Sequence, residues 1–475
     1  METSGVKRVG VAIVGAGTAG LAALREVRAQ TDDFVLINGG PYGTTCARVG
    51  CMPSKTLIAA ANAFHIRTKL EEFGIRGAGA LRADIPAVLR RVRALRDDFV
   101  AGVLQATEDL GDRNVAGYAR LDGPNRLIVG ERVIEAEQVI LAPGSTPIVP
   151  GPWRALGDRI LTSDTLFEQE DLPRRIAVIG LGPLGVEIAQ ALARLGLEVH
   201  GFDAGSTIAG ISDEKVAEAA REYIEKEFPI HLGAQVELTE AGSGVEIRWA
   251  GESLSVDKVV VAVGRRPNVD GLGLETLGVE LDENGLPEID GRTMRIGSTS
   301  VLLAGDAIGE RPFLHEAADD GHIAGLNATS DEPIQLRRRT PLTVVFCDPE
   351  VVTVGRSAQD LDPRTTVVGE TSFAEQGRAR IMQENRGLLR VYAARETGRV
   401  LGAAMVMPAA EHVGLLLALA VQQELTVADL LRLPFYHPTL EEGLRTALRG
   451  IARELPPRPL SDLARCESLG AEALD

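Results

Sequence analysis

Two cysteines five residues apart, Cys46 and Cys51 in the run GTTCARVGCMPSK (Gly43–Lys55), are of a type and spacing that could do chemistry. A bridge over so short a separation needs a tight turn, and strained disulfides are the labile, catalytically useful ones. The bland alternative is a pair of buried thiols packed as small hydrophobes. Lys55, four residues beyond Cys51, weighs for redox chemistry, because a nearby ammonium favours a thiolate. A thiolate that attacks also needs a group to take and return its proton, and a histidine oriented by a carboxylate does this near neutral pH. The segment FYHPTLEEG offers His437, with Glu442 five residues later and Glu441 as the alternative orienter. Without such context, a histidine before a proline is an ordinary loop residue.

The elements that must position these groups are announced twice. RVGVAIVGAGTAGLAALREV from Arg8 and RIAVIGLGPLGVEIAQALARLGLEVHGFD from Arg175 each give a β-branched run, a G-x-G-x-x-G turn and a helix-period segment that leads to a second apolar run. The glycines are Gly15, Gly17 and Gly20 in the first unit and Gly180, Gly182 and Gly185 in the second. In such a turn the first glycine bends the chain, the second lets the backbone approach a pyrophosphate, and the third lets helix pack on strand. An acid about 20 residues on grips the ribose hydroxyls. Asp203 holds that place in the second unit and favours NAD, since a carboxylate repels the 2′-phosphate of NADP. The strand FVLI of the first unit ends at Asn38, whose amide can bond hydroxyls without charge assistance.

A chain of 475 residues is too long for one core and predicts about three domains. The Pro/Gly-rich run Ala142–Trp153 reads as one boundary, and the polar run around Asp331–Pro341 as another. Beyond it LTVVF (from Leu342), LLRVYAA (from Leu388) and VLGAAMVM (from Val400) alternate with the helical HVGLLLALAVQQEL (from His412), the pattern of an α+β unit with an antiparallel sheet. The expected segments are 1–150 for the first nucleotide domain with the cysteine pair, 151–272 for the second, 273–340 returning to the first, and 341–475 for the last.

The formal charge of −17 argues against nucleic acid as a partner. No apolar run is long enough for a membrane span, and no targeting segment is evident, so a cytoplasmic protein is expected. Four cysteines, Cys46, Cys51, Cys347 and Cys466, do not make a structural disulfide framework; the last two receive no role, and no metal site is read. The cluster Arg90, Arg91, Arg93 and Arg96 reads as the solvated face of an amphipathic helix built on Ile85, Val88, Leu89, Val92, Leu95 and Phe99.

Taken together, the cysteine motif, the two glycine turns and the HPTLEE segment resemble the class I pyridine nucleotide-disulfide oxidoreductases, whose motif is GGTCxNxGCxPSK, and within them most closely the dihydrolipoamide dehydrogenase branch. The likeness runs over nearly the whole chain. It implies an α/β fold of two Rossmann-like domains, binding FAD and NAD, with a C-terminal α+β dimerisation domain. It also implies a redox-active Cys46–Cys51 disulfide, Cys46 exchanging with substrate and Cys51 lying against the flavin. By the same resemblance Lys55 pairs with Glu187 beside flavin and nicotinamide, Asp306 in VLLAGDA binds the ribityl chain, and His315 in FLHEAADDG contacts flavin. Ala119, Gly144 and Gly264 fall at cofactor contacts. In the family the dyad histidine reaches the disulfide of a neighbouring subunit, so the likeness implies a homodimer in which His437 serves the partner's site. The substrate implied is a small dithiol or disulfide or a lipoyl domain, and the reaction NAD-dependent oxidation of dihydrolipoyl groups.

Certain positions depart from the family. Asn38 stands where glutamate is usual, Pro143 makes APG of the usual ATG, and Pro183 replaces the tyrosine or valine that often lines the nicotinamide pocket. Phe435 takes the place of a second histidine common in lipoamide dehydrogenases, and Tyr436 replaces the usual residue before His437. Mercuric and large thioredoxin reductases need a C-terminal cysteine pair, which Cys466 cannot supply, and glutathione reductases resemble PKK where this chain has Pro53–Lys55. A stand-alone reductase of another disulfide and a low-turnover flavin- or NADH-binding sensor or assembly subunit are the competing readings.

Overall fold

In a computed structural model that describes residues 6–310 and 312–455, each glycine-bearing run folds as strand, turn and helix. The β-branched strand β1 (Val6–Val14) is buried from Val11 to Val14 and leads through the turn to helix α1 (Thr18–Gln30) and strand β2 (Phe34–Asn38). β2 lies parallel to β1 in the register Val11–Phe34 to Val14–Ile37. A single helical turn, Thr45–Arg48, carries Cys46 and is capped by Thr44, whose side chain accepts from Ala47 N–H. Cys51 then opens helix α2 (Cys51–His65). Helix α3 (Ile85–Glu108) starts at the Asp84 cap, with proline in its first turn.

Strand β3 (Arg132–Leu141) pairs in parallel with the other side of β1, and the chain then enters the second domain. There β4 (Arg175–Ile179), helix α4 (Pro183–Arg194), β5 (Glu198–Phe202), β6 (Ile230–His231) and β7 (Lys258–Val261) build a parallel sheet in the order β6-β5-β4-β7, extended by Ile160–Leu161. The Pro/Gly-rich stretch that reads as a boundary contributes regular structure of its own. Its Ser145–Pro147 pairs antiparallel with Arg265–Pro267, so the outgoing and returning connections form a two-stranded ribbon.

After the return, β8 (Val301–Leu303) joins the first sheet parallel to β3, and helix α5 (Leu314–Ala328) packs on α1. The last domain is an antiparallel sheet of β9 (Leu342–Val345), β10 (Glu350–Gly355), β11 (Thr366–Ser372), β12 (Leu388–Ala394) and β13 (Val400–Met407), in the order β9-β10-β13-β12-β11. Helices α6 (Ala410–Gln422) and α7 (Glu442–Glu454) cover it. Cys466 lies outside the described residues, and Cys347 is buried just after β9.

The basic cluster on α3 needs a correction. Arg93 donates to the carbonyls of Phe167 and Gln169, and Arg96 pairs with Asp97 and Glu168, so half of the supposed solvated face ties α3 to the second domain. Helical periodicity locates a polar face but not what lies opposite it.

Candidate active site

Both glycine turns obey the same steric logic. Gly15 and Gly180 have φ of 103° and 92°, and a Cβ on either would overlap a backbone carbonyl, of Ala142 or Ala262 respectively. A Cβ on Gly20 would stand 1.8 Å from Gly15 O, and one on Gly185 1.7 Å from Gly180 O, so only glycine lets each helix close on its own turn. The middle glycines, Gly17 and Gly182, face open space at the N-termini of α1 and α4, where unsatisfied N–H groups suit a phosphate.

A single cavity of about 1280 Å³ runs between the two turns. Among its walls are Gly17, Gly144, Gly182, Asp203, Gly264, Asp306 and His315, with Cys46, Cys51, Lys55 and Glu187 between them. Both cysteines are free thiols and half-buried in the cavity wall. Their sulfurs share a hydrogen bond because one turn of helix, Thr45–Arg48, folds Cys46 back over the first residue of α2. That bond lowers Cys51 to about 7 against the opposing effect of burial, with the Lys55 charge assisting. Cys46, acting as donor and partly buried, moves in the other direction.

Lys55 Nζ lies 2.9 and 2.7 Å from the two oxygens of Glu187, joining α2 to α4. Glu187 is only 3% exposed and also accepts Phe346 N–H at 2.8 Å, so its buried charge is fully satisfied. Asp306 accepts from Ser145 Oγ at 2.7 Å, and Arg265 in turn donates to Ser145 Oγ at 2.8 Å. His315 Nε2 is buried without a hydrogen-bond partner while its residue lines the cavity. A polar atom left over in this way, beside a carboxylate and an open glycine turn, fits a bound dinucleotide with a polar chain.

Other expected site residues lie off the cavity wall. Asn38 is behind the first turn: Oδ1 accepts Ala16 N–H at 3.1 Å and Nδ2 donates to Gly40 O at 2.6 Å. Ala119 sits in the short strand Ala119–Leu121, paired with Arg126–Val129. His437 is 79% exposed and is not among the residues around the cysteines. Its Nδ1 lies 3.0 and 3.1 Å from the oxygens of Glu442, which thus makes the contact for which Glu441 was the alternative. A carboxylate can only accept there, so Nδ1 donates and Nε2 is left to take a proton.

The family model described as pyridine nucleotide-disulphide oxidoreductase matches residues 9–321, and the dimerisation domain of the same family matches residues 342–448. The chain belongs to the pyridine nucleotide-disulphide oxidoreductase family. A dihydrolipoyl dehydrogenase of Haloferax volcanii is 30% identical over 461 residues, spanning 92% of this chain and 94% of that protein. A mercuric reductase of Shigella flexneri is 31% identical over 473 residues, spanning 94% of this chain and 81% of that protein. Among solved structures, LpdA of Mycobacterium tuberculosis superposes with a TM-score of 0.81 at 26% identity, over 94% of this chain and 99% of that one.

As an oxidoreductase of this family the protein uses FAD and a pyridine nucleotide, and the two turns and the cavity between them are of a kind to hold both. Among the described residues no helix is long and apolar enough to cross a membrane, and no group of three or more His, Cys, Asp or Glu is placed to hold a metal. Sequence reasoning passed over Ser145, Arg265 and Phe346. Each comes from a different connection; Ser145 and Arg265 stood one residue after the noticed Gly144 and Gly264, whereas Phe346 stood near no candidate site residue. Thr18 was also missed, although a hydroxyl at the first position of α1 was readable from the turn itself.

Proposed function

We propose that this oxidoreductase oxidises dihydrolipoyl-type dithiols with NAD, through the Cys46/Cys51 pair. The observation that carries the reading is the convergence of both cysteines, the Lys55–Glu187 pair and both glycine turns on one cavity. In the oxidised enzyme a substrate thiolate attacks Cys46 of the bridge and expels Cys51 as a thiolate, for which the Cys46 hydrogen bond and the Lys55 charge are suited. The second substrate thiol then closes the substrate disulfide and releases Cys46. FAD, held at the first turn with Asp306 and His315 alongside, supplies the two-electron relay to NAD when bound. Asp203 favours NAD over NADP by repelling a 2′-phosphate.

The proton is assigned to His437 with Glu442 as its orienter. Its exposure in the single chain and the match to a dimerisation domain support a homodimer in which the partner subunit's His437 faces Cys46. A reductase of another disulfide, running from NADH, is the second reading, favoured by Phe435 and Pro183 at positions that shape the substrate and nicotinamide pockets in relatives.

The test is anaerobic reduction of the purified protein with NADH, watched for long-wavelength thiolate–flavin absorbance. Turnover of dihydrolipoamide with NAD is then compared with turnover of glutathione disulfide with NADH. The proposal expects the absorbance band and at least about a hundredfold preference for dihydrolipoamide, with Cys46→Ser abolishing turnover. Preference for a different disulfide would select the second reading, and absence of the band would refute the redox role of the pair.

A further inference from the structure

The third domain sends one segment into the redox centre. The residues after β9, Phe346 to Pro349, run against α4 and are fixed to it at both ends. Phe346 N–H donates to Glu187 Oε1 at 2.8 Å, and one helical turn further Gln190 both accepts Asp348 N–H at 2.8 Å and donates to Asp348 O at 2.7 Å. One more turn along, Arg194, with its side chain only 1% exposed, pairs with Asp348 at 2.9 Å and with Glu227 at 2.6 Å, and donates to Asn62 of α2 at 2.6 Å. Arg386 holds the other oxygen of Asp348 at 2.6 Å. The loop is therefore held in register with both helices that carry the Lys55–Glu187 pair.

This anchoring delivers the Phe346 ring beneath the Lys55 ammonium, with Nζ 4.8 Å from the ring centroid, inside the range of a cation–π contact. Lys55 has a long, rotamer-rich side chain that is 33% exposed, so a carboxylate alone leaves it freedom to swing toward solvent. The aromatic face and the carboxylate together confine it. The groups that face Cys51 are Lys55, which stabilises its thiolate, Glu187, which opposes it, and the Cys46 thiol, which donates to it.

We propose that Phe346 is a positioning residue of the redox centre: its backbone N–H fixes Glu187 and its ring fixes the Lys55 ammonium, so that docking of the third domain holds that charge where it supports a Cys51 thiolate. The proposal rests on the reading of Cys51 as the reactive thiolate. A merely packed phenylalanine would leave the ionisation of Cys51 alone.

The measurement is the pH dependence of alkylation of Cys51, resolved from Cys46 by peptide mass spectrometry, in anaerobically reduced, flavin-loaded protein. Phe346→Leu should raise the midpoint by roughly half a unit to one unit, about a two- to fivefold slowing at neutral pH. Phe346→Tyr, which keeps an aromatic face, should restore the parent profile, and Lys55→Met should move the midpoint at least as far as Phe346→Leu. If Lys55→Met shifts the profile and Phe346→Leu does not, the positioning role is refuted while the role of Lys55 stands. Equal shifts in the leucine and tyrosine variants would mean general disturbance of packing and also overturn it. If none of the variants shifts the profile, the underlying reading of Lys55 and Cys51 fails together with the proposal.

Discussion

The two dinucleotide turns have one backbone plan and two chemistries. In the second, one oxygen of Asp203 braces the turn, accepting Leu181 N–H at 2.6 Å, and the other accepts Gly205 N–H at 2.7 Å in the loop that follows β5. In the first, Asn38 braces its turn with a single acceptor and spends its amide hydrogens on Gly40 O. A carboxylate could not make that second bond, so asparagine is suited to the loop that leads toward the cysteines, and it places no charge there. The helix starts differ in the reverse sense: Thr18 brings an N–H and a hydroxyl to the N-terminus of α1, whereas Pro183 at the first position of α4 has no N–H to give. The first turn is thus rich in neutral donors, and the second relies on a charge and on fewer donors. A resident flavin and an exchanging nicotinamide nucleotide suit that division of labour.

The strongest way to break the comparison is to close each turn separately. Gly20→Ala and Gly185→Ala both drive a Cβ into a backbone carbonyl, at 1.8 and 1.7 Å. Gly20→Ala should yield protein without flavin absorbance, whereas Gly185→Ala should keep the absorbance and lose NADH affinity by about a hundredfold or more. Loss of flavin from the second variant alone would reverse the assignment of the turns. A milder change makes the second turn resemble the first: Asp203→Asn should weaken NADH binding by about tenfold in a calorimetric titration and narrow the preference over NADPH. The smallest effect is expected from Pro183→Ala, which restores one N–H facing the cavity and should tighten NADH by roughly two- to fivefold. Unchanged or weaker binding would mean that the first position of α4 does not face the pyrophosphate.

What could be read from the sequence was what local spacing determines. Gly15, Gly17 and Gly20 act within a single turn, and Cys46 and Cys51 are brought together by one helical turn, so a short window contained the reason for each. The Lys55–Glu187 contact, 132 residues apart in the chain, was accessible only through resemblance to a family. Phe346, Ser145 and Arg265 were not legible, because each finds its partner only in a connection or element far away in the chain. Arg93 and Arg96 show the same limit: helix period gave their face correctly but could not say that the second domain lies against it. The departure at Asn38 was visible, yet its use as a brace for the first turn emerged only from the hydrogen bonds.

The ribbon of Ser145–Pro147 and Arg265–Pro267 makes the second domain an insertion within the first. The upper part of β3, from Val139 to Leu141, finds its neighbour β8 only at Val301–Leu303. As the chain leaves the ribosome, that part of the first sheet remains an open edge while the whole inserted domain is made. Asp306 arrives only after β8, so the cavity wall to which it belongs is completed late in synthesis, after the inserted domain has had time to fold. A ribosome stalled before residue 300 would hold a chain able to fold its second domain but not to complete that wall.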